Sequence, residues 1–335
     1  MKKEKVLITG AAGLLGANFS RYLSNRGYDV IGIDNLTGGY RDHVDPHSRF
    51  YFMDLENSKF LNEIFELEKP DYVYHFAAYA AEGLSPFIRS FNYHNNVVCS
   101  SNLINSCINF GVRKIIFTSS MAVYGEGQLP FSENQLPCPE DSYGIAKYAI
   151  ELDLALAKRE FGLDYAIVRP HNVAGIYQNI WDRYRNVIGI WIRKSLRGMP
   201  LTIFGDGTQV RSFSDIQYYM EPFLRLMYEC SGEVFNIGAD HYHTINEVSE
   251  IVQDVAKDFG KTVDRTWVEK RNEVHVAYCD HEKAKDLLGF QDRTNLRKLV
   301  YDMFLWAKSQ PQREVKTFDY EIKNGIYSFW GGNES

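Results

Sequence analysis

Ser120, Tyr143 and Lys147 are the residues of this 335-residue chain whose types and spacing suit proton transfer best. Tyr143 and Lys147 stand four apart in SYGIAK (142–147), a stretch with helical spacing. They therefore share one helix face, about 5–6 Å apart. An ammonium beside a phenol favours the phenolate and moves the hydroxyl from its usual value of about 10 toward neutrality, where it acts as a general base. Ser120 lies in TSSMAVYG (118–125), directly after the apolar run RKIIFT. A hydroxyl where a buried strand runs out can hold the same substrate hydroxyl in place. A tyrosine four residues before a lysine is commonplace by itself, so this chemistry needs a second constellation beside it.

TGAAGLLG (9–16) supplies that constellation. It sets Gly10, Gly13 and Gly16 after an apolar run and at the mouth of a helical pattern, with Leu14 and Leu15 between the last two. Glycine has no Cβ to hold off a pyrophosphate, and a helix N-terminus offers free N–H groups and positive potential. Asp34 ends the next apolar run 18 residues after Gly16, with Asn35 beside it. A carboxylate there accepts from adenosine ribose hydroxyls and repels a 2′-phosphate, so the expected cofactor is NAD rather than NADP. Asp54 and Leu55 follow the third run and suit an adenine, one by accepting from its amino group and the other by packing. A helix N-cap is the competing use of Asp54. The fourth run closes on HFAA, where Phe76, Ala77 and Ala78 let a cofactor lie against the backbone, and Thr118 closes the fifth.

These residues need a scaffold that brings strand ends to one edge. Short runs rich in Val, Ile and Tyr occur at 5–9, 28–34, 49–54, 71–77, 114–118 and 164–169. They are nearly continuous in apolar character, which suits parallel strands buried on both faces. Helical patterns lie between them at 14–26, 58–68, 92–110 and 144–161. The alternation predicts an α/β fold with a doubly wound parallel sheet of the Rossmann type, ligands binding at the strand C-terminal edge. After residue 170 the rhythm breaks into Gly-, Asn- and aromatic-rich stretches. The expected organisation is a dinucleotide-binding domain over 1–172 and a smaller mixed α/β substrate domain over 173–335, parts of 210–238 returning to the first.

Composition bounds the partners. A formal net charge of −6 disfavours nucleic-acid wrapping, which needs clustered Lys and Arg. No apolar run approaches the ~18 residues of a membrane span, and the charged start MKKEKV is unlike a signal peptide, so a cytoplasmic protein is expected. Five scattered cysteines without a CxxC pair argue against a disulfide framework and a structural zinc. His43 with His47, and His241 with His243, have metal-like spacing but no carboxylate or cysteine cluster, so no metal is expected. Surplus apolar residues on the helices at 92–110 and 144–161 suggest a homodimer.

The whole set of motifs, with GIDNLTGG, HFAAYAAEG, RPHNVAG and IFGDGTQVRSF, resembles the extended short-chain dehydrogenase/reductase superfamily, in particular its nucleotide-sugar epimerases of the UDP-glucose 4-epimerase type. The resemblance covers most of the chain. It implies that Ser120, Tyr143 and Lys147 are catalytic and that Asn95 supports the cofactor side. It also implies that Asn172, Arg211 and Arg271 bind the diphosphate of a nucleotide sugar and that Tyr278 borders the hexose, where its bulk would crowd an N-acetyl group. Two departures stand out. Ala80 occupies the place of a lysine near the cofactor phosphates, and Ser212 the place of an aspartate.

The implied reaction is NAD-dependent C4 epimerisation of a UDP-hexose, glucose/galactose above all, through a 4-keto sugar. Met121 and Ala122 cannot move protons, which disfavours a 4,6-dehydratase. Epimerisation beside the ketone would need extra acid/base groups, for which Cys138 and His171 are the nearby candidates, His171 being read as structural. Asp34 disfavours an NADPH-consuming 4-keto reductase. C4 epimerisation of a uronic acid and C2 epimerisation of a hexose stay open. A non-catalytic NAD-sensing protein on the same fold is the alternative from another class. WDRYRN (181–186) can stack a base or pack a helix, and the aromatic stretch 318–335 has no assigned role.

Overall fold

The computed structural model describes residues 3–330; Gly331–Ser335 of the aromatic stretch lie outside the described residues. The first half follows the predicted alternation: β1 (Lys5–Thr9), α1 (Leu14–Ser24), β2 (Asp29–Asp34), β3 (Arg49–Phe52), α2 (Ser58–Glu68), β4 (Tyr72–His75), α3 (Arg89–Tyr93), α4 (Cys99–Asn109), β5 (Lys114–Thr118), α5 (Ser142–Phe161) and β6 (Asp164–Pro170). The helix expected over 92–110 is α3 and α4 joined by a wider π turn at His94–Val98. Its extra residue per turn is invisible to apolar spacing.

The second half holds β7 (Val173–Ala174), α6 (Val187–Leu196), β8 (Leu201–Phe204), β9 (Val210–Arg211), β10 (Ser214–Asp215), α7 (Met220–Leu226), β11 (Glu233–Ile237), β12 (His243–Thr244), α8 (Ile245–Asp258), β13 (Arg265–Val268), β14 (Val276–Ala277), α9 (Glu282–Leu288) and α10 (Leu296–Lys308). β11 leaves this half and pairs with β6, completing a seven-stranded sheet in the order β3-β2-β1-β4-β5-β6-β11. All six pairings in it are parallel.

Apolar runs without alternation are explained by two cores, one on each sheet face. Val6, Ile8, Tyr74 and Phe235 pack under α1 and α7, whereas Leu7, Ile31, Val73 and Phe117 pack under α2, α4 and α5. The chain winds outward from β1 to β3 and then returns to β4 on the other side of β1. Strand order therefore reverses between β1 and β4, and loops leaving their C-terminal ends diverge there to open a crevice.

A separate core built from α6, α8 and α10 stands over that edge. It carries short pairings, β8 with β13 and β9 between β12 and β14. After α10 the chain runs back across the first half as an aromatic strap. Phe318, Tyr320 and Trp330 pack with Tyr79, Phe91 and Tyr184. Glu321 accepts from Ser90 N at 2.7 Å and Phe91 N at 2.9 Å. The apolar surplus on α5 is exposed at Ile145, Leu152 and Leu156. Among the described residues no helix is long and apolar enough to cross a membrane.

Candidate active site

A cavity of about 860 Å³ occupies the crevice and runs under the second half. Its first wall is the β1–α1 turn. Gly10 sits at φ +70°, and a Cβ there would lie 2.7 Å from Ala77 N. Only glycine lets the turn and the end of β4 close up to this degree. Asp34 is buried at the end of β2, where its Oδ2 accepts from Ala12 N at 2.9 Å and its Oδ1 from Leu36 N at 2.6 Å. Burial raises its pKa, against those two hydrogen bonds and the Arg185 charge. Each oxygen keeps a lone pair for a ribose hydroxyl. Asp54 accepts from Asn35 Nδ2 at 2.7 Å, and the N-cap of α2 is Asn57, so Asp54 is not spent on capping. Leu14, Leu15, Asn35, Leu55, Phe76, Ala77, Ala78, Asn95 and Thr118 line the same cavity. Thr118 Oγ1 is buried with no hydrogen-bond partner, and Gly10 leaves a cradle that a Cβ would fill, so these walls fit a dinucleotide.

The second wall is the start of α5. Asp141 caps it, accepting from Tyr143 N at 2.8 Å and Gly144 N at 2.9 Å. The capped first turn carries Tyr143, and Lys147 follows one turn later. A Cβ on Gly144 would lie 2.5 Å from Ala122 O, so the helix end seats directly on the turn after Ser120. That contact brings the three residues together. Ser120 accepts from Ala122 N at 3.1 Å, and its hydroxyl is near enough to the Tyr143 phenol to lower that group's pKa. Lys147 Nζ donates to Thr118 O at 2.7 Å and lies 5.8 Å from the centre of the Tyr143 ring.

The electrostatics differ from the expectation. Tyr143 is raised above its usual value, first by burial and then by the Glu82 charge, with Ser120 and Arg185 working the other way. Lys147 falls to about 7, because burial costs its ammonium more than Glu151 returns. Helical spacing reports that two side chains are neighbours. It does not report that both are dry, or that Glu82 arrives from another loop.

The third wall comes from the second half. Asn172 sits in a left-handed conformation at φ 43° between β6 and β7. Arg211 on β9 donates to Val274 O at 2.6 Å and to Glu273 Oε2 at 3.2 Å. Arg271 lies over the Phe204 ring at 3.9 Å and reaches the same Glu273 oxygen at 3.4 Å. One carboxylate thus holds two guanidinium groups at the cavity edge, a clamp that matches phosphate oxygens.

Tyr278 is not part of this wall. β14 alternates, so Ala277 faces the cavity while Tyr278 turns away and stacks on Tyr242, ring centres 4.9 Å apart. The expected crowding of an N-acetyl group loses its basis, because the cavity side of β14 is a methyl group. Neither Cys138 nor His171 faces the cavity. His171 is buried against His281 with 2.6 Å between Nε2 atoms, a structural pair.

Glu82, Glu273 and Arg185 line the cavity and went unassigned in the sequence. Glu82 faces the cavity between Tyr143 and the two arginines, whose charges it feels. Glu82 is exposed to the cavity; the protein crowded around it first, then Asp141, lift it to about 7, with Glu273 adding to them against Arg211 and Arg271. An acidic residue inside HFAAYAAEG, an otherwise apolar strand end, is the signal that could have found it.

The profile of the NAD dependent epimerase/dehydratase family matches residues 6–238. The UDP-glucose 4-epimerase of Lactobacillus helveticus is 30% identical over 327 residues, covering 92% of this chain and 98% of its own. Among solved structures, that of the Thermotoga maritima UDP-glucose 4-epimerase with UDP-glucose aligns with a TM-score of 0.86 at 30% identity, covering 91% of this chain and 98% of that one. The UDP-glucuronic acid 4-epimerase of Bacillus cereus, in complex with UDP-glucuronic acid and NAD, aligns with a TM-score of 0.82 at 27% identity, covering 91% and 99%.

Proposed function

Since the chain belongs to the NAD-dependent epimerase/dehydratase family, we propose that it inverts C4 of a neutral UDP-hexose, glucose and galactose being the preferred pair. The reading rests on one observation: the phosphate turn, the Ser120–Tyr143–Lys147 group and the Arg211–Arg271 clamp front a single cavity. When bound, the oxidised dinucleotide supplies the hydride acceptor and returns the hydride. The chain's own residues do the rest. Tyr143 takes the proton from the C4 hydroxyl and later gives it back, while Ser120 fixes that oxygen by a hydrogen bond. Lys147 in its ammonium form favours the phenolate. Asn172, Arg211 and Arg271 hold the diphosphate while the keto-hexose turns over beside the small face of Ala277.

Glu82 supports a neutral sugar. A hexose spans from its reacting carbon to its diphosphate, so it lies alongside this carboxylate. Glu82 accepts from sugar hydroxyls and repels a uronate, whose own carboxylate stays ionised near neutrality. Like charges in a partly wet pocket cost on the order of 2 kcal/mol, roughly 30-fold. Below about pH 7 Glu82 is neutral, and above it is charged. The kcat/KM for UDP-glucuronate relative to UDP-glucose is therefore expected to fall as pH rises through 7, and Glu82→Gln to flatten that ratio.

A panel of nucleotide sugars followed by NMR tests the whole reading, with deuterium at C4. Retention of the label during inversion is expected, and exchange of the label with water would refute hydride return. We further propose that a second copy of the chain covers the exposed stripe Ile145, Leu152 and Leu156 on α5. Sedimentation should give a dimer that Leu152→Asp splits; a monomer at micromolar concentration removes this reading.

A further inference from the structure

We propose that Arg185, backed by Lys316, binds the diphosphate of the dinucleotide and replaces the cation that is missing at Ala80. The inference rests on the NAD-dependent reading above. Arg185 stands in the loop before α6, in the second half of the chain, yet lines the cavity at its cofactor end. Its guanidinium carbon lies over the Tyr79 ring, 4.4 Å from its centre, and Nε pairs with Asp182 at 3.2 Å. Nη2 is buried and has no hydrogen-bond partner. An unpaired buried donor of a cation is costly and asks for an anionic acceptor.

Gly38 shows where that donor is aimed. A Cβ there would lie 2.5 Å from Nη2 and 2.9 Å from Nη1 of Arg185. The guanidinium therefore fills the space that any side chain at 38 would take. The neighbouring Gly39 is equally tight, its Cβ position lying 2.2 Å from Ala12 O of the phosphate turn. Arg185 thus lies against a glycine-bare loop whose next residue packs on the phosphate turn.

The charge of Arg185 acts on Asp34 at one end of the cavity and on Tyr143 at the other. Asp34 marks the adenosine ribose and Tyr143 the reacting end. The diphosphate of a dinucleotide lies between its two riboses, where Arg185 is. Lys316 adds a second cation from the strap, its Nζ donating to Thr37 O next to Gly38. Burial, then Arg185, lowers Lys316 to about 8, and an anion beside both would restore its charge.

The test reads cofactor and not turnover. Exchange of bound NAD for fluorescent etheno-NAD is followed in the purified holoprotein. Arg185→Ala should release NAD about 10- to 100-fold faster, the loss of a charge-assisted phosphate contact. Arg185→Lys should fall between, and Lys316→Gln should speed release a few-fold. Competition separates a phosphate contact from a structural one. In Arg185→Ala, adenosine should displace NAD at about 10- to 100-fold lower concentration than in the parent, while ADP, which loses the same contact, gains nothing. Equal gains by adenosine and ADP, or unchanged release in both Arg185 variants, overturn the proposal. So does a rise confined to the KM of the nucleotide sugar. None of these outcomes depends on which sugar is inverted.

Discussion

Tyr143→Phe is expected to lower kcat for sugar inversion by about 10²- to 10⁴-fold, the usual worth of a positioned proton-transfer group, with NAD still bound. The substitution deletes one oxygen and leaves the ring, which stays buried at the start of α5. Ser120 keeps Ala122 N as a donor to its oxygen, so the turn stays capped. The proposed diphosphate clamp is on another wall, and KM should hardly move. A fall in kcat and kcat/KM together, without a change in KM, is the signature of an interaction made only in the transition state. Kinetics on the variant, with the nucleotide content of the same preparation measured after denaturation, decide the matter. Parent-like turnover would remove Tyr143 as the base.

The opposite signature is expected at the clamp. Arg211→Ala or Arg271→Ala should each raise KM for the nucleotide sugar by about 10- to 100-fold, because a hydrogen bond to a charged group is worth about 1.5–3 kcal/mol. kcat should be nearly kept, since the diphosphate is held alike before and during reaction. UDP as an inhibitor should weaken by the same factor. The double variant should lose less than the product of the two. Arg211 and Arg271 share one oxygen of Glu273, so deleting either frees that carboxylate to hold the other. An unchanged KM in the double variant would move the diphosphate elsewhere.

The parts of this protein legible in the sequence are those set by local rules. Doubly buried strands read as apolar runs, and β1 to β6 fall on them. The glycine turn, Asp34 and the Tyr143–Lys147 spacing are short-range patterns whose geometry follows from backbone alone. What was missed or left imprecise depends on distant partners. β11 joins β6 from 63 residues further along, 233 against 170, inside the 210–238 stretch expected to return to the first domain, but no period marks the strand itself. The resemblance placed Tyr278 at the sugar, but the residue that faces the cavity is its neighbour Ala277: along an extended chain a one-residue difference is a change of side. The expected drop in the Tyr143 pKa needed knowledge of burial and of Glu82, 61 positions earlier. Arg185 sits in a stretch equally suited to base stacking or packing, and only Gly38 reveals its direction.

The strap after α10 has a consequence in time. Its bond from Lys316 to Thr37 joins positions 279 apart, and the phosphate turn itself leaves the ribosome long before residue 316 does. A nascent chain therefore offers its crevice open from above, whereas a finished one lies under a belt threaded by aromatic rings. The strap's contacts beside the crevice, with Tyr79 and Tyr184 as well as with Thr37, are therefore among the last of its surroundings to form.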